Sequence, residues 1–522
     1  MALLKLDNVG VTIGGEALLE GVSFSIGKGQ RVALIGEAGS GKSLVVLTVL
    51  GVLPRRAKVS GSISFDDKPM PASEAEIARL RGRRIGALLP GAADSLSPLR
   101  PIRQQIAAAL VDTAGAAEKT AALLRDVGLD PKLAARLPTH LSFSERQRVA
   151  LAIALAGEPE LLIADDPASG LDLIDQRRVF DLIERLCRER NLSLLLVSHG
   201  LKAVAMLSTK IVVLRGGKVV EAGEKTEIFG HPKHEFTRAV LSAGRHRTRT
   251  LMRTPIGATL LELRNVVRRY RQADRSIFEP RPPIVALDGV SFAVRAGESV
   301  GITGPAGSGK STLARVVVGL DRASSGELEF EQTVYHGNDL PRALRQDIGI
   351  VLRDPALTFN PRLTVGESIA EPLQLEMQKT MDELSTRIVE AVTAVGLHPD
   401  MLSRLPREFP IGQLQRLAVA RALITRPRLI VLDEPVASLD VAARGEILVM
   451  LNRLRADFGL SFLVVSNDLD VIRVVADRML VMDRGKVIES GTPAQLLDNP
   501  QQVLTQQLVA AQLPEVGIVP VF

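Results

Sequence analysis

The sequence predicts an α/β protein in which one architecture is written twice. Three observations predict it: short, wholly apolar segments of the kind buried in parallel sheets, a glycine loop that follows one such segment and opens an apolar helix, and the return of both at a fixed spacing within 522 residues. The loop Gly36-Glu-Ala-Gly-Ser-Gly-Lys42-Ser43 recurs as Gly304-Pro-Ala-Gly-Ser-Gly-Lys310-Ser311, an offset of 310 − 42 = 268. Leu161-Leu-Ile-Ala-Asp165-Asp166 recurs as Leu429-Ile-Val-Leu-Asp433-Glu434, and Val197-Ser-His199 as Val465-Ser-Asn467, each again 268 residues on. The chain therefore divides into a first domain over 1–242, a linker over 243–258 and a second domain over 259–522.

Within each half the elements follow in order. Arg31-Val-Ala-Leu-Ile and Ser299-Val-Gly-Ile-Thr read as strands that feed the glycine loops. The segments ending in Asp165 and Asp433 read as central strands, as do Leu194-Leu-Leu-Val and Phe462-Leu-Val-Val. The stretch between glycine loop and acidic strand reads as mostly helical, with helical spacing over Met381 to Val395 and no clear strand pattern there. At the join, Gly, Pro and four arginines gather between Leu241 and Pro255, as in an exposed linker. Contact of those arginines with anionic lipid or nucleic acid is the alternative.

Composition narrows the class. Lys and Arg outnumber Asp and Glu by 65 to 59, and 46 % of residues are hydrophobic, which excludes disorder. One cysteine, Cys187, excludes a disulfide framework, a four-cysteine zinc site and a cysteine-held iron–sulfur cluster, and reads as a semi-buried packing residue. With 14 Phe, 2 Tyr and no Trp, a base-stacking surface for single strands is not expected, so no nucleic acid is assigned as partner. The start of the chain lacks the pattern of a secretion signal, and no apolar run approaches the roughly 18 residues of a membrane span. A cytosolic protein, free to lie against a membrane, is expected. His231, His234 and His246 gather near the join, but a metal site there is the lesser reading.

The repeated motifs carry phosphate chemistry. Gly36, Gly39, Ser40, Gly41, Lys42 and Ser43, with Gly304, Gly307, Ser308, Gly309, Lys310, Ser311 and Thr312, form loops whose amides can close on phosphate oxygens at a helix N-terminus. The lysines neutralise the outer phosphates. Ser43 and Ser311, with Asp165 and Asp433, are the candidate Mg²⁺ ligands, because a carboxylate ending a buried strand is costly unless it serves a cation. Glu434, and the shorter Asp166, are positioned to polarise an attacking water.

The order of glycine loop, Leu141-Ser142-Phe143-Ser144-Glu145, acidic strand, Ser169-Gly-Leu-Asp172 and Ser198-His199 resembles an ABC transporter ATPase. The second half matches with Phe409-Pro410-Ile411-Gly412-Gln413, Ser438-Leu-Asp440 and Ser466-Asn467. Ser95-Leu-Ser-Pro98, Thr358-Phe-Asn-Pro361 and the Pro232-x-His234-x-Phe-Thr-Arg-Ala tail are similar to the dipeptide and oligopeptide importer branch. The resemblance implies two P-loop domains, each with a RecA-like α/β core, an antiparallel β subdomain and a helical subdomain. It implies ATP and Mg²⁺ as ligands, held between the glycine loop of one half and the signature loop of the other in a head-to-tail pair. It further implies two membrane permease subunits, an extracytoplasmic solute-binding protein, and a peripheral place on the cytoplasmic face of the inner membrane.

The sequence also departs from that family. Of the signature Leu-Ser-Gly-Gly-Gln, the first half keeps Ser142 but has Phe143 and Ser144 for the glycines and Glu145 for the glutamine, which puts a negative charge near phosphate. The second half keeps Gly412 and Gln413 but has Pro410 for the serine. The family glutamine six residues into Ile85–Pro90 and Ile348–Arg353 is absent from both. The switch histidine is His199 in one half and Asn467 in the other, and the adenine-stacking aromatic is Tyr270 in the second half but Ile13 in the first. Two unequal sites follow. Lys42, Asp165, Asp166 and His199 face Pro410–Gln413. Lys310, Asp433, Glu434 and Asn467, with Tyr270, face Ser142–Glu145. Catalysis is expected of Glu434, Asp166, His199 and Asn467, slowly, and mostly at the second site. The alternatives are a nucleotide-gated module with negligible hydrolysis, an importer of sugar or metal, or a soluble ribosome-acting relative.

Overall fold

The computed structural model describes residues 2–71, 73–243, 255–271, 282–375, 381–437 and 439–513. Most of the arginine-rich join, including His246, lies outside them, as does Ser438.

Each half holds the same two sheets. The larger has six strands, in the order Lys218–Glu224, Lys210–Arg215, Arg31–Ile35, Ser193–Val197, Leu161–Asp165 and Ile85–Leu88 in the first half. Only the pairing of Lys218–Glu224 with Lys210–Arg215 is antiparallel. The second half repeats the order with Lys486–Gly491, Arg478–Asp483, Ser299–Thr303, Ser461–Val465, Leu429–Asp433 and Ile348–Val351. The register is conserved too: Asp165 stands beside Val197 and Asp433 beside Val465. The central strands are buried end to end because helices cover one face and the other is covered by the helix Lys42–Leu50 or Lys310–Val317 together with the second sheet. Each buried Leu or Ile there contributes roughly 1.5–3 kcal/mol relative to exposure.

The smaller sheet is antiparallel, with four strands in the order Glu16–Gly27, Ala2–Ile13, Ala57–Phe65 and Lys68–Pro69. Its counterpart is Ile284–Arg295, Thr259–Tyr270, Ser325–Phe330 and Thr333–Tyr335. The stretch between glycine loop and acidic strand is mostly helical, as expected, and also holds the strands Ala57–Phe65 and Ser325–Phe330. Ala57–Phe65 faces solvent along much of its length, although Ala57, Val59, Ile63 and Phe65 alternate with polar residues as a strand's do. The helix expected around Met381–Val395 is present as Met381–Ala394. Between the two sheets lie the helices Lys42–Leu50 and Lys310–Val317, whose apolar residues fill the gap.

The halves share apolar surface. Leu173 and Ile174 of the first half pack against the core of the second, and Leu513 packs against the core of the first. Cys187 is buried in the helix Leu173–Glu189, whose inward residues Val179, Phe180, Ile183, Leu186 and Cys187 follow helical spacing. Burial pushes its thiol up to about 11, so it is inert packing.

Candidate functional site

Both glycine loops are shaped by backbone that only glycine adopts easily. Gly36 and Gly304 have positive φ, and a Cβ on either would fall 2.2 Å from Leu214 O or 2.1 Å from Met482 O. Gly41 and Gly309, also at positive φ, turn the chain into the helices that begin at Lys42 and Lys310. Both lysines are buried and fold back onto the loop. The Lys42 ammonium donates to Gly36 O (2.8 Å) and Glu37 O (2.6 Å), and Lys310 donates to Gly304 O (2.7 Å) and Pro305 O (2.8 Å). Burial lowers both from the ordinary lysine value, Lys310 to about 8, against an opposing pull from Glu434, Asp172 and Asp433. A buried cation held only by carbonyl oxygens and a hydroxyl is a receptor for a polyanion.

The strand-end carboxylates meet the loop serines. Ser43 donates to Asp165 (2.9 Å) and Ser311 to Asp433 (3.3 Å). Burial raises both carboxyls, Asp165 to about 6, and its side-chain donor is Ser43. A buried carboxylate beside a hydroxyl, with no ion pair among the described residues, fits a hard divalent cation.

The residue after each strand-end aspartate sits at positive φ, Asp166 at 45° and Glu434 at 52°. Non-glycine residues avoid that region, and strain of this kind collects at functional sites. Each carboxylate is held by the amide of the switch residue. Asn467 N–H donates to Glu434 at 2.8 Å, whereas His199 N–H reaches Asp166 only at 3.3 Å. The missing methylene of Asp166 shows directly in that longer bond. His199 Nε2 also lies 3.4 Å from Asp166, and burial holds the imidazole below its usual value against the pull of that carboxylate. His199 Nδ1 and Asn467 Oδ1 are buried polar atoms without a hydrogen-bond partner among the described residues. Glu434 is raised from the usual carboxylate range, mainly by burial, as suits a group that must accept a proton.

Two aspartates tie the loops of one half to the other. Asp172 caps its own helix through Asp175 N–H (2.9 Å) and accepts from Ala306 N–H in the second glycine loop (2.7 Å). Asp440 does the same with Ala443 N–H (2.9 Å) and with Ala38 N–H of the first loop (3.0 Å). Sequence reading placed these aspartates in the family motif but missed the cross-half bond. A cavity of about 1050 Å³ opens between the halves, lined among others by Asp166, His199, Gly170, Arg353, Glu434 and Asn467.

The two signature segments differ from the sequence expectation in one respect. Ser142 and Glu145 form a reciprocal cap at the helix Phe143–Leu155: Glu145 N–H donates to Ser142 Oγ (3.2 Å), and Ser142 N–H and hydroxyl donate to the Glu145 carboxylate (2.8 and 3.0 Å). The Glu145 charge is thus turned onto the serine hydroxyl rather than held free near a phosphate. Phe143 lies against Gly170. Pro410 caps the helix Ile411–Leu423 without a side-chain bond, Gly412 lies close to Ala443 of its own half, and Gln413 N–H bonds to Pro410 O. Tyr270 donates its hydroxyl to Asp321, and Arg268 covers one face of its ring at 4.5 Å, so an adenine could stack only on the opposite face. His231 and His234 take part in helix-end hydrogen bonds, and no cluster able to hold a metal occurs among the described residues.

Phosphate loops on helix N-termini, carboxylates at strand ends and switch residues behind them define a tandem P-loop nucleotide-binding ATPase. An ABC transporter family model matches residues 19–169 and 287–437, more than half of the chain. The peptidoglycan transport ATP-binding protein YejF of Agrobacterium fabrum is 36 % identical over 94 % of this chain and 92 % of its own. An uncharacterised ABC transporter ATP-binding protein YejF of Escherichia coli K12 is 33 % identical over 97 % and 99 %. The glutathione import ATP-binding protein GsiA of the same strain is 30 % identical over 95 % and 86 %. The chain belongs to the ABC transporter family and carries its ATPase domain twice.

Proposed function

We propose that this chain couples MgATP binding and hydrolysis, at two unequal sites between its halves, to import of a peptide or related small solute through a pair of membrane permease subunits. The observation that carries the reading is the pair of crossed hydrogen bonds, Asp172 to Ala306 and Asp440 to Ala38. They support a head-to-tail pairing in which each glycine loop faces the other half's signature segment. The solute class rests on relatives named for peptidoglycan transport and glutathione import. An extracytoplasmic solute-binding protein and a peripheral place on the inner membrane belong to the same reading. No helix among the described residues is long and apolar enough to cross a membrane. Leu99 and Leu357, 86 % and 84 % exposed beyond the strands Ile85–Leu88 and Ile348–Val351, suit contact with a permease.

At the second site, Glu434 accepts the proton of the attacking water while Asn467 N–H holds its carboxylate, and Lys310 leaves its carbonyls for the outer phosphates. Ser142 comes from the opposite half. Mg²⁺ on Ser311 and Asp433, or on Ser43 and Asp165, would draw charge from the phosphate oxygens. The first site has the shorter, less well-held Asp166, and Pro410 opposite, so it serves mainly to bind. Adenine would stack on the face of Tyr270 opposite Arg268 at the second site. The test is turnover of the assembled transporter: Glu434→Gln should lower it at least tenfold and Asp166→Asn by less than threefold. The reverse ranking would sink the assignment. A nucleotide-gated module with negligible hydrolysis is favoured instead by Pro410 and by Phe143, which replace phosphate-contacting positions in both signatures. Single-turnover hydrolysis below the uncatalysed background in wild type would decide for it.

A further inference from the structure

Arg353 lies just past the strand Ile348–Val351, beside the strand that ends in Asp433. Its side chain is exposed into the cavity between the halves, which it lines together with Glu434 and Asn467. It also crosses to the other half: its Nη2 lies 3.7 Å from where a Cβ on Gly170 would stand, in the segment that carries Asp172. The guanidinium makes no hydrogen bond or ion pair among the described residues. Asp433 and Glu434 both feel its charge. The equivalent place in the first half is Pro90, which has no charge to offer. An unpaired, permanently charged fork thus stands in the one site whose switch residue, Asn467, is not a histidine.

We propose that Arg353 is a catalytic residue of the second site, donating from its guanidinium to the γ-phosphate oxygens as charge gathers there. The inference rests on the ATPase reading above and deepens it. As the water oxygen–phosphorus bond forms, the bond from the γ-phosphorus to the bridging oxygen breaks, and its electron pair leaves with ADP. The water proton passes to Glu434. Arg353 keeps all its protons, since a guanidinium is not deprotonated at working pH, and acts as a fixed donor inside the closed site. Asn467 can hydrogen-bond but brings no cation, and Arg353 supplies what the asparagine lacks. Closure brings Gly170 and the second glycine loop together around the nucleotide, which places the guanidinium within the site instead of in open water.

The test uses the full chain in its assembled transporter and three variants, Arg353→Met, Arg353→Ala and Arg353→Lys. MgATP hydrolysis and binding of trinitrophenyl-ATP are measured on each, with retention of ADP in the presence of aluminium fluoride as a mimic of the transition state. Arg353→Met and Arg353→Ala should lose at least tenfold in kcat and in ADP–aluminium fluoride retention, with KM and trinitrophenyl-ATP affinity within threefold of wild type. Arg353→Lys, which keeps the charge without the fork, should fall between. Hydrolysis by Arg353→Ala within twofold of wild type would overturn the proposal while leaving the ATPase reading intact. A fall in trinitrophenyl-ATP affinity that matches the fall in rate would also overturn it, since it would make the residue a ground-state or structural contact. Wild type that binds no trinitrophenyl-ATP would overturn the ATPase reading itself, and this inference with it.

Discussion

Lys202 and Asp470 form an ion pair of 2.7 Å across the two halves, and they are equivalent residues of the repeat, since 470 − 202 = 268. Equivalent residues meet only where the axis relating the two domains passes between them. In a dimer of identical domains such a position would face its own copy, lysine on lysine or aspartate on aspartate. Duplication within one chain has allowed the two copies to take opposite charges, which favours the pairing of unlike halves.

A charge exchange tests that pairing. Lys202→Asp and Asp470→Lys each set like charges against one another and should lower stability by about 1 kcal/mol, because both side chains remain partly solvated. The double exchange should recover most of the loss. Thermal unfolding and ATPase rate of the four proteins form the cycle, and additive losses in the double variant would show that the contact is incidental.

How much of this was legible in the sequence depends on the range of the interaction. Lys42 with Gly36, Ser43 with Asp165 and the buried strands were readable, because a strand, a glycine loop and a helix fix one another locally. The Ser142–Glu145 cap was also readable: a serine three residues before a glutamate at a helix start is the capping pattern, and it was passed over for a phosphate-contact reading. The strand Ala57–Phe65 was readable as well, since Ala57, Val59, Ile63 and Phe65 alternate with Lys and Ser in the period of a strand. Neither Lys202 with Asp470 nor Arg353 with Gly170 leaves any local trace. Those neighbours are made by the docking of two halves, and nothing in either segment alone names the other.

Glu145 offers a change that separates folding from function. Its carboxylate both caps the helix Phe143–Leu155 and draws the Ser142 hydroxyl to itself. Glu145→Gln keeps an acceptor for the Ser142 amide while removing the charge and restoring the residue type of the family signature. ATPase rate at the second site should rise severalfold, with stability changed by less than about 1 kcal/mol. A matched set of melting curves and initial rates reads both at once. Equal loss of stability and rate would mean that the cap, and not the charge, governs this segment.

Asp165 should leave a mark on stability against pH. Its carboxyl is pushed up to about 6 from 3.8, chiefly by burial and further by Asp166, with Ser43 and Lys42 opposing. Between about pH 4 and 6 the folded state therefore holds more protons than the unfolded chain, so stability falls as pH rises across that window and levels off above it. The contribution is at most about 3 kcal/mol. Calorimetry without Mg²⁺ should find Asp165→Asn more stable than wild type at pH 8, with the gap closing below pH 4. A gap that stays constant from pH 4 to 8 would remove the carboxyl as its source.

Lys310 gives a prediction of opposite sign. Burial depresses its ammonium to about 8, so the nucleotide-free chain begins to lose that proton just above neutrality. Phosphates at the second glycine loop restore a strong partner and raise the value again, so binding must take up a proton wherever the free lysine is partly neutral. The uptake should be near zero at pH 7, grow toward one proton per site by about pH 9, and weaken ATP affinity as pH rises through 8. Titration calorimetry of MgATP in two buffers of different ionisation enthalpy measures it directly. Lys310→Arg, whose guanidinium stays charged, should abolish the uptake at this site and flatten the pH dependence, whatever it does to hydrolysis. Proton uptake at pH 9 that survives in Lys310→Arg would have to come from Lys42, which burial also depresses, and would assign the nucleotide to the first site instead.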